Sequence, residues 1–198
     1  MDQFQTLRST AVPLPLENID TDQIIPARFL KATTREGFGA NLFADWRYAA
    51  DGQPRPGFVL NDPRYGGQVL LAGPNFGCGS SREHAAWALY DAGFKVVIAS
   101  SFADIFRGNA LNTGLLPLEV SEAVGQRLLA QVTAEPGTLL VVDLPAQTLS
   151  VPVWEESIGF DLDPYKKECL INGYDDIDYL LSQQAAITTY EQARAWTF

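Results

Sequence analysis

Short apolar runs alternate with helical patterns through the middle of the chain. The apolar runs have the length of buried strands and are bounded by turn residues; they cover residues 68–73, 95–100, 115–120, 138–144 and 148–153. Helical patterns at 80–90, about 101–111 and 122–132 fill the intervals between the first four runs. Ser101 and Ser121 stand where the N-caps of the second and third helices are expected. This order predicts a βαβ unit that continues in the same alternation, followed by a hairpin formed by the last two runs.

The two flanks of this core have a different character. Residues 31–67 are rich in Gly, Pro, Asn and Asp, which predicts a long excursion with one short helix around 41–48. Near the end of the chain, Asp163 and Pro164 start a helix, and one or two further helices are expected at about 175–195. The pattern therefore predicts an α/β core with a small helical tail.

Composition and charge favour a single-domain globular protein that binds neither nucleic acid nor a membrane. With 198 residues, 46% of them hydrophobic, the chain can bury a core as one domain over 1–198, with the core to about residue 160 and a helical extension at about 161–198. The formal charge of −10 argues against nucleic acid as a partner, because such binding draws on clustered Lys and Arg. No segment has the pattern of a signal peptide or the length of a membrane span, so we expect a cytoplasmic protein with no membrane partner.

The stretch NFGCGSSREHAAWAL at 75–89 concentrates the chemistry of the chain. Ser80 followed by Glu83 has the spacing of a capping box, which by itself has no catalytic content. The stretch lacks the G-x-S-x-G of a serine hydrolase, the third glycine of G-x-G-x-x-G and the G-K-[ST] of a P-loop. Cys78 as an iron ligand would need companion thiols, and the chain has only Cys169 besides it.

Anion recognition is the chemistry that this stretch still supports. A strand, a glycine turn and a helix start would present free backbone N–H groups at a helix N-terminus, where an anion is stabilised. Arg82 lies in the predicted first turn, where a cation opposes the helix dipole unless an anion lies between them. Its planar guanidinium suits a carboxylate, and the hydroxyls of Ser80 and Ser81 lie beside it. Glu83 and His84 are explained by capping and packing in the first helical turn.

Taken with further segments, this stretch resembles the swivelling domain of aconitase-type hydro-lyases. The other segments of the resemblance are NIDTDQIIPARFL at 18–30, GFGANLFADWR at 37–47, IASSFADIFRGNALNTGLLPLEV at 98–120 and LINGYDDIDYLL at 170–181. From end to end the chain is similar to the small subunits of bacterial 3-isopropylmalate dehydratases. The resemblance implies an α/β fold, namely a swivelling β/β/α domain like aconitase domain 4, with a small C-terminal helical tail.

The resemblance also implies an activity and a partner. Enzymes of this family convert 2-isopropylmalate to 3-isopropylmalate through isopropylmaleate, by reversible dehydration and rehydration, in leucine biosynthesis. A separate large subunit holds a [4Fe-4S] cluster, whose open iron acts as a Lewis acid on the departing hydroxyl. The expected partner is therefore that large subunit and the expected substrate is a small dicarboxylate, with no cofactor or metal on this chain.

Individual site residues follow from the same resemblance. Ser80 falls where the family has its catalytic base, and Ser81 and Arg82 fall on positions that hold a substrate carboxylate. Thr21 and Asp22 match a loop that faces the same site, although an Asx or ST turn would also account for them. Candidates for a further substrate arginine are Arg28, Arg35 and Arg47, and candidates for an apolar pocket around the isopropyl group are Phe29, Leu30, Phe38 and Leu42.

Two alternatives stay open at this point. The small subunit of a related enzyme that acts on citraconate and 2-methylmalate, or on homoaconitate, would carry the same motifs, and only substrate profiling of the paired complex separates these enzymes. A stand-alone carboxylate-binding module, with a capped helix and no chemistry, would also account for residues 75–89.

Overall fold

The computed structural model describes residues 1–30 and 37–194. The strands in these ranges are β1 (Thr6–Ser9), β2 (Ala11–Leu14), β3 (Val69–Ala72), β4 (Val96–Ala99), β5 (Leu116–Glu119), β6 (Leu140–Asp143), β7 (Thr148–Ser150) and β8 (Ser157–Gly159). The α-helices are α1 (Thr21–Ile24), α2 (Ala44–Arg47), α3 (Glu83–Asp91), α4 (Asp104–Thr113), α5 (Glu122–Ala134), α6 (Pro164–Asn172), α7 (Asp176–Ser182) and α8 (Gln184–Ala193).

The strands form two sheets of opposite character. One sheet has the order β2-β3-β4-β5 and is parallel throughout, because α3 and α4 cross over between its last three strands. In its register Val97 of β4 lies between Leu70 of β3 and Pro117 of β5. The other sheet has the order β1-β6-β7-β8 and is antiparallel. Its β6–β7 pair is the predicted hairpin, which is thereby confirmed.

The parallel sheet is buried on both faces and separates two apolar cores. Successive side chains of a strand point to opposite faces, so Leu70 and Ala72 of β3 enter one core, together with residues of α1, α3 and α4. Val69 and Leu71 enter the other core, which α5 and the antiparallel sheet complete. The layers are therefore helices, parallel sheet, and antiparallel sheet with α5. This arrangement confirms the expected α/β fold of β/β/α type.

The predicted strands of the alternation are confirmed, whereas β1, β2 and β8 were not foreseen. The sequence of β2, AVPL, contains Pro13, which cannot donate to a sheet ladder and obscures the strand pattern. The structure accommodates Pro13 because β2 is an edge strand of its sheet, and Pro117 occupies the opposite edge strand, β5, in the same way.

The two serines that were expected to cap helices have different outcomes. Ser121 is confirmed as the N-cap of α5, where its side chain accepts the N–H of Val124. Ser101 is not a cap, because α4 starts only at Asp104 and has no side-chain cap. The Ser101 hydroxyl instead accepts the backbone N–H of Asn75 at 2.8 Å, and so joins the loops that follow β3 and β4.

The long excursion between β2 and β3 has little regular structure in its described part. The predicted short helix is present as α2, and 3-10 turns at Gly39–Asn41 and Val59–Asn61 accompany it. Residues 31–36, which include Arg35, lie outside the described residues.

The helices at the end of the chain differ in how they join the fold. The predicted start of α6 is confirmed, since Asp163 caps the helix and Pro164 is its first residue. Through Cys169 and Leu170 α6 contributes to the buried interior, whereas α7 and α8 bury no side chain. The division into a core to about residue 160 and an extension stays a prediction. Within residues 1–30 and 37–194, none of the helices is long and apolar enough to cross a membrane.

Candidate functional site

The candidate site lies at the carboxyl edge of the parallel sheet, where the loops after neighbouring strands meet. An isolated bridge pairs Asp20, in the segment after β2, with Cys78, in the loop after β3. A second bridge pairs Phe76 with Phe102, in the loop after β4. The carboxyl ends of parallel strands are where open α/β sheets bind their ligands. The NFGCGSSREH stretch therefore lies where the fold favours a site.

Two glycines shape the loop after β3. Gly77 and Gly79 have φ values of +78° and +88°, a region that disfavours side chains. A Cβ atom on Gly77 would also lie 2.2 Å from Cγ of Phe106, a fully buried residue of α4. The glycines therefore let the loop turn tightly over the core and present the residues that follow.

Ser80 and Ser81 are exposed at the end of this loop, and neither belongs to helix α3. The predicted capping box of Ser80 and Glu83 is wrong, because the N-cap residue is Arg82 and no side chain caps the helix. The physical reason is the backbone: Arg82 is extended, at φ −105° and ψ 112°, and its N–H donates to the Ser80 carbonyl at 2.8 Å in a tight turn. The Ser80 hydroxyl is thus not used for capping.

Thr21 and Asp22, in the first turn of α1, contact this loop from the side. Thr21 is only 1% exposed, and its hydroxyl donates to the Ser80 carbonyl at 3.0 Å. Its backbone N–H donates to the Cys78 carbonyl at 2.9 Å. This geometry favours a supporting role for Thr21, and a direct contact with substrate stays a prediction. Asp20 caps α1 in a capping box, which accounts for the helical turn at this point.

Asp22 forms an ion pair with Arg82, from Oδ1 to Nη1. The Arg82 side chain is 20% exposed and that of Asp22 is 51% exposed, so the pair lies at the surface with the arginine side chain largely covered. A carboxylate thus accompanies the arginine at the start of α3, as the dipole argument requires. Ser80, Ser81, Arg82, Thr21 and Asp22 are therefore brought together, although 60 positions separate Asp22 from Arg82.

The other candidate arginines have partners elsewhere. Arg28 forms an exposed ion pair with Asp45 that lowers the carboxyl pKa of Asp45, chiefly through their hydrogen bond. Arg47 donates from Nε to Asn61 at 3.1 Å. Arg35 is among the residues outside the described ranges. A further substrate arginine therefore stays a prediction.

The candidates for an apolar substrate pocket lie in or against the core. Phe38 and Leu42 are buried, and Phe29 and Leu30 are partly buried and pack on the same cluster. The imidazole of His84, with ring centroids 5.3 Å from Phe38 and 4.6 Å from Trp87, takes part in this packing, as expected for a residue in the first turn of α3.

Two asparagines support the site and were not foreseen. Asn18 and Asn75 have φ values of +54° and +57°, and Nδ2 of Asn75 donates to Oδ1 of Asn18 at 2.8 Å. Asparagine adopts this left-handed conformation more readily than most residues. The signal available in the sequence was the Asn residue beside each loop, immediately before Ile19 and Phe76. The two side chains join the loops after β2 and β3.

The two cysteines lie apart and in different environments. The partly buried thiol of Cys78 donates to the Asn18 carbonyl at 3.4 Å. Burial raises the pKa of the Cys169 thiol, which is buried in α6. In the part of the chain that the structure describes, no group of three or more His, Cys, Asp or Glu residues could hold a metal ion.

Comparison with known protein families gives two matches that follow one another along the chain. A family model described as the aconitase C-terminal domain matches residues 1–123. A second model, described as LeuD_N, matches residues 126–164. Together they cover the parallel sheet, the candidate site, α5 and the antiparallel sheet.

Individual proteins are similar over nearly the whole chain. The 3-isopropylmalate dehydratase small subunit of Cytophaga hutchinsonii is 60% identical over 192 residues, which cover 97% of this chain and 96% of that protein. The same subunit of Christiangramia forsetii is 57% identical over 194 residues, with 98% and 95% covered. Among solved structures, a 3-isopropylmalate dehydratase from Methanocaldococcus jannaschii has a TM-score of 0.67 at 28% identity, and the match covers 93% of this chain and 99% of that one.

Proposed function

The chain belongs to the aconitase C-terminal domain family and, within it, to the small subunits of 3-isopropylmalate dehydratase, and we propose on this premise that it completes the active site of that hydro-lyase. The reaction interconverts 2-isopropylmalate and 3-isopropylmalate through isopropylmaleate. The observation that carries the proposal is that an exposed serine, Ser80, and the arginine two residues after it both lie in the loop at the carboxyl edge of the sheet.

Ser80 is the base in this proposal and removes a proton from the substrate carbon that lies next to a carboxylate. The free hydroxyl ionises far above neutral pH, so an alkoxide needs nearby positive charge and N–H donors. Helix α3 begins at Glu83 without a side-chain cap. The N–H of Ala85 donates to the Arg82 carbonyl at 3.3 Å, so the N–H groups of Glu83 and His84 are the donors that this helix end would offer an anion. The hydroxyl is exposed, so a substrate held against this edge can reach it.

Arg82 binds the carboxylate whose neighbouring carbon loses the proton. Negative charge develops on that carboxylate as the proton leaves, so a fixed cation stabilises the transition state more than the bound substrate. The guanidinium has five N–H donors, and Asp22 engages only Nη1 among them. Asp22 therefore orients the arginine and leaves donors for the substrate, while Ser81 adds an exposed hydroxyl beside them.

A large subunit supplies the rest of the site in this proposal, including the [4Fe-4S] cluster. A cluster needs several thiolates, whereas this chain has two cysteines, of which Cys169 is buried in α6. These residues do not fit a cluster, so we place the cluster on the large subunit. In this proposal the chain contributes the base, Ser80, and the residues that bind the substrate carboxylate, Arg82 and Ser81.

The test is reconstitution with the large subunit of a 3-isopropylmalate dehydratase under anaerobic, iron-replete conditions. We expect the absorbance of isopropylmaleate to change only when both subunits are present. Ser80→Ala should abolish turnover and leave complex formation intact, while Ser157→Ala, at an exposed serine of β8, should behave as wild type. Turnover by Ser80→Ala would refute the assignment of Ser80 as the catalytic base.

The alternatives predict other outcomes of the same experiment. Faster turnover of 2-methylmalate or homoaconitate than of isopropylmalate would assign the chain to a related hydro-lyase. A chain that binds a dicarboxylate but never supports turnover would be a carboxylate-binding module.

A further inference from the structure

The last two described helices expose a set of large apolar side chains. We call this set the tail face; its members are Ile177, Leu180, Leu181, Ile187 and Tyr190, with 42 to 64% of each residue exposed. In α7 the apolar positions recur at intervals of three and four residues, and in α8 at an interval of three, so each helix carries an apolar stripe. Neither helix buries a side chain. Exposed apolar stripes of this kind mark interaction surfaces.

Helix α7 is nevertheless held in place against the body of the protein. Asp176, its first residue, accepts a hydrogen bond from Nζ of Lys166 at 3.1 Å, and the same amine donates to Oδ1 of Asn112 in α4 at 2.9 Å. The ring of Tyr179 packs edge-on against Tyr165 of α6, with centroids 4.5 Å apart. The exposed stripe of α7 is therefore presented in a defined position before any partner binds.

A groove runs between the start of α3, next to the candidate site, and the start of α7. It is lined by residues of α3, α4 and the α6–α7 turn, among them Glu83, Trp87, Asn109, Asn112, Asp175 and Ile177. Glu83 directly follows Arg82 of the site, and Ile177 is the first member of the tail face. A protein that covers the site and reaches Glu83 therefore meets one side of a groove whose other side includes Ile177 of the tail face.

The charge of the tail disfavours a second copy of this chain as its occupant. Residues 176–194 carry Asp176, Asp178 and Glu191 and one cation, Arg194, and the whole chain has a formal charge of −10. Asp176 is paired with Lys166 of α6, whereas Asp178 and Glu191 lie on the tail itself. Two copies meeting through this surface would bring like charges together as the interface loses water. A different protein with basic residues around an apolar patch would complement the surface.

We propose that the tail face is a docking surface for the large subunit of the dehydratase, reached from the candidate site along the α3–α4 groove. The inference rests on the proposed function, because that function places the large subunit over Ser80 and Arg82. The partner surface has an apolar centre that meets Leu180 and Leu181 and a basic rim that meets Asp178 and Glu191. Docking there lies beside the chemistry and takes no part in it.

The experiment compares Leu181→Glu with Val153→Glu in the full chain. Leu181 is 62% exposed and Val153, in the turn after β7, is 65% exposed, so both substitutions add the same charge at a similarly accessible apolar position. Affinity for the purified large subunit is measured anaerobically by calorimetry, kcat at saturating small subunit by the isopropylmaleate assay, and the mass of the small subunit alone by light scattering.

Leu181→Glu should weaken binding of the large subunit by at least tenfold, and kcat at saturation should stay within twofold of wild type. Val153→Glu should bind as wild type. Wild-type affinity of Leu181→Glu, or equal losses in the two variants, would overturn the docking surface. A wild-type dimer that Leu181→Glu converts to a monomer, with unchanged affinity for the large subunit, would assign the tail face to a second copy and also overturn it. A complex that depends on Leu181 but is inactive in wild type would contradict the proposed function and leave the docking surface intact.

Discussion

Replacement of Thr21 by valine tests whether the threonine hydroxyl positions Ser80. Valine keeps the shape of the side chain and removes the donor that reaches the Ser80 carbonyl at 3.0 Å. That carbonyl also accepts the N–H of Arg82 at 2.8 Å, so it does not become unpaired. The loss of one such hydrogen bond costs about 1 kcal/mol. For a chain of 198 residues, this corresponds to a decrease in Tm of about 2–4 °C.

The expected effect on catalysis is much larger than this loss of stability. Without the bond, the loop keeps the Thr21 N–H to Cys78 and the Asp22–Arg82 ion pair, but the Ser80 backbone loses its own contact with α1. A displacement of about 1 Å at a reacting group can lower a rate by about a hundredfold. We therefore expect kcat of the reconstituted enzyme to fall about 10–100-fold, with a smaller change in KM because Arg82 remains. Thr21→Ser, which keeps the hydroxyl, should recover most of the rate.

Thr138→Val is the matched control for this prediction. Thr138 is also buried, and its hydroxyl donates to the Glu135 carbonyl at 2.7 Å, in the turn between α5 and β6. This variant should lose a similar amount of stability and keep the wild-type kcat. If Thr21→Val lowered Tm and left kcat unchanged, the hydroxyl would be a structural bond only and the reasoning would be refuted.

Two further substitutions test carboxylate binding by Arg82 and the tight turn at Gly77 in the loop after β3. Arg82→Lys should raise KM for the dicarboxylate and lower kcat/KM by about 10–100-fold, because an ammonium does not reproduce the planar fork of a guanidinium; an unchanged KM in steady-state kinetics would count against carboxylate binding. Gly77→Ala and Gly52→Ala introduce a Cβ at nearly the same φ, +78° and +80°, but only the first meets other atoms. In urea unfolding, Gly52→Ala should cost about 1 kcal/mol from backbone strain, and Gly77→Ala about 1–3 kcal/mol more from overpacking against Phe106. Equal losses would show that Phe106 yields without cost.

The fold was predictable from the sequence wherever the apolar runs were continuous, and less so where local signals compete with tertiary contacts. The strands that flank α3 and α4 lie between two cores and are apolar on both faces, so their runs stand out. Ser101 and Ser121 both follow an apolar run, yet only Ser121 caps a helix. The two serines differ because the Ser101 hydroxyl accepts the backbone N–H of Asn75 instead of an N–H of the following helix. No spacing within the sequence encodes that contact.

In the candidate site, too, residues that are neighbours in the sequence were predictable, whereas contacts between distant residues were not. Ser80, Ser81 and Arg82 are adjacent in the chain, so the sequence could place them together. The contacts of Thr21 with Ser80 and of Asp22 with Arg82 span 59 and 60 positions. They arise because β2 pairs with β3 although the long excursion separates them, and that pairing follows from the sheet, not from any local pattern.

The incorrect capping box shows how the same serine can serve two different roles. A serine at an N-cap directs its oxygen towards the N–H groups of its own helix, and Ser80 followed by Glu83 fits that role by spacing alone. The left-handed backbone of Gly79 and the extended backbone of Arg82 instead start the helix two residues after Ser81. As a result Ser80 is exposed at the sheet edge, and α3 begins without a side-chain cap. The proposed role of Ser80 as a base requires this exposure, because the substrate must reach its hydroxyl.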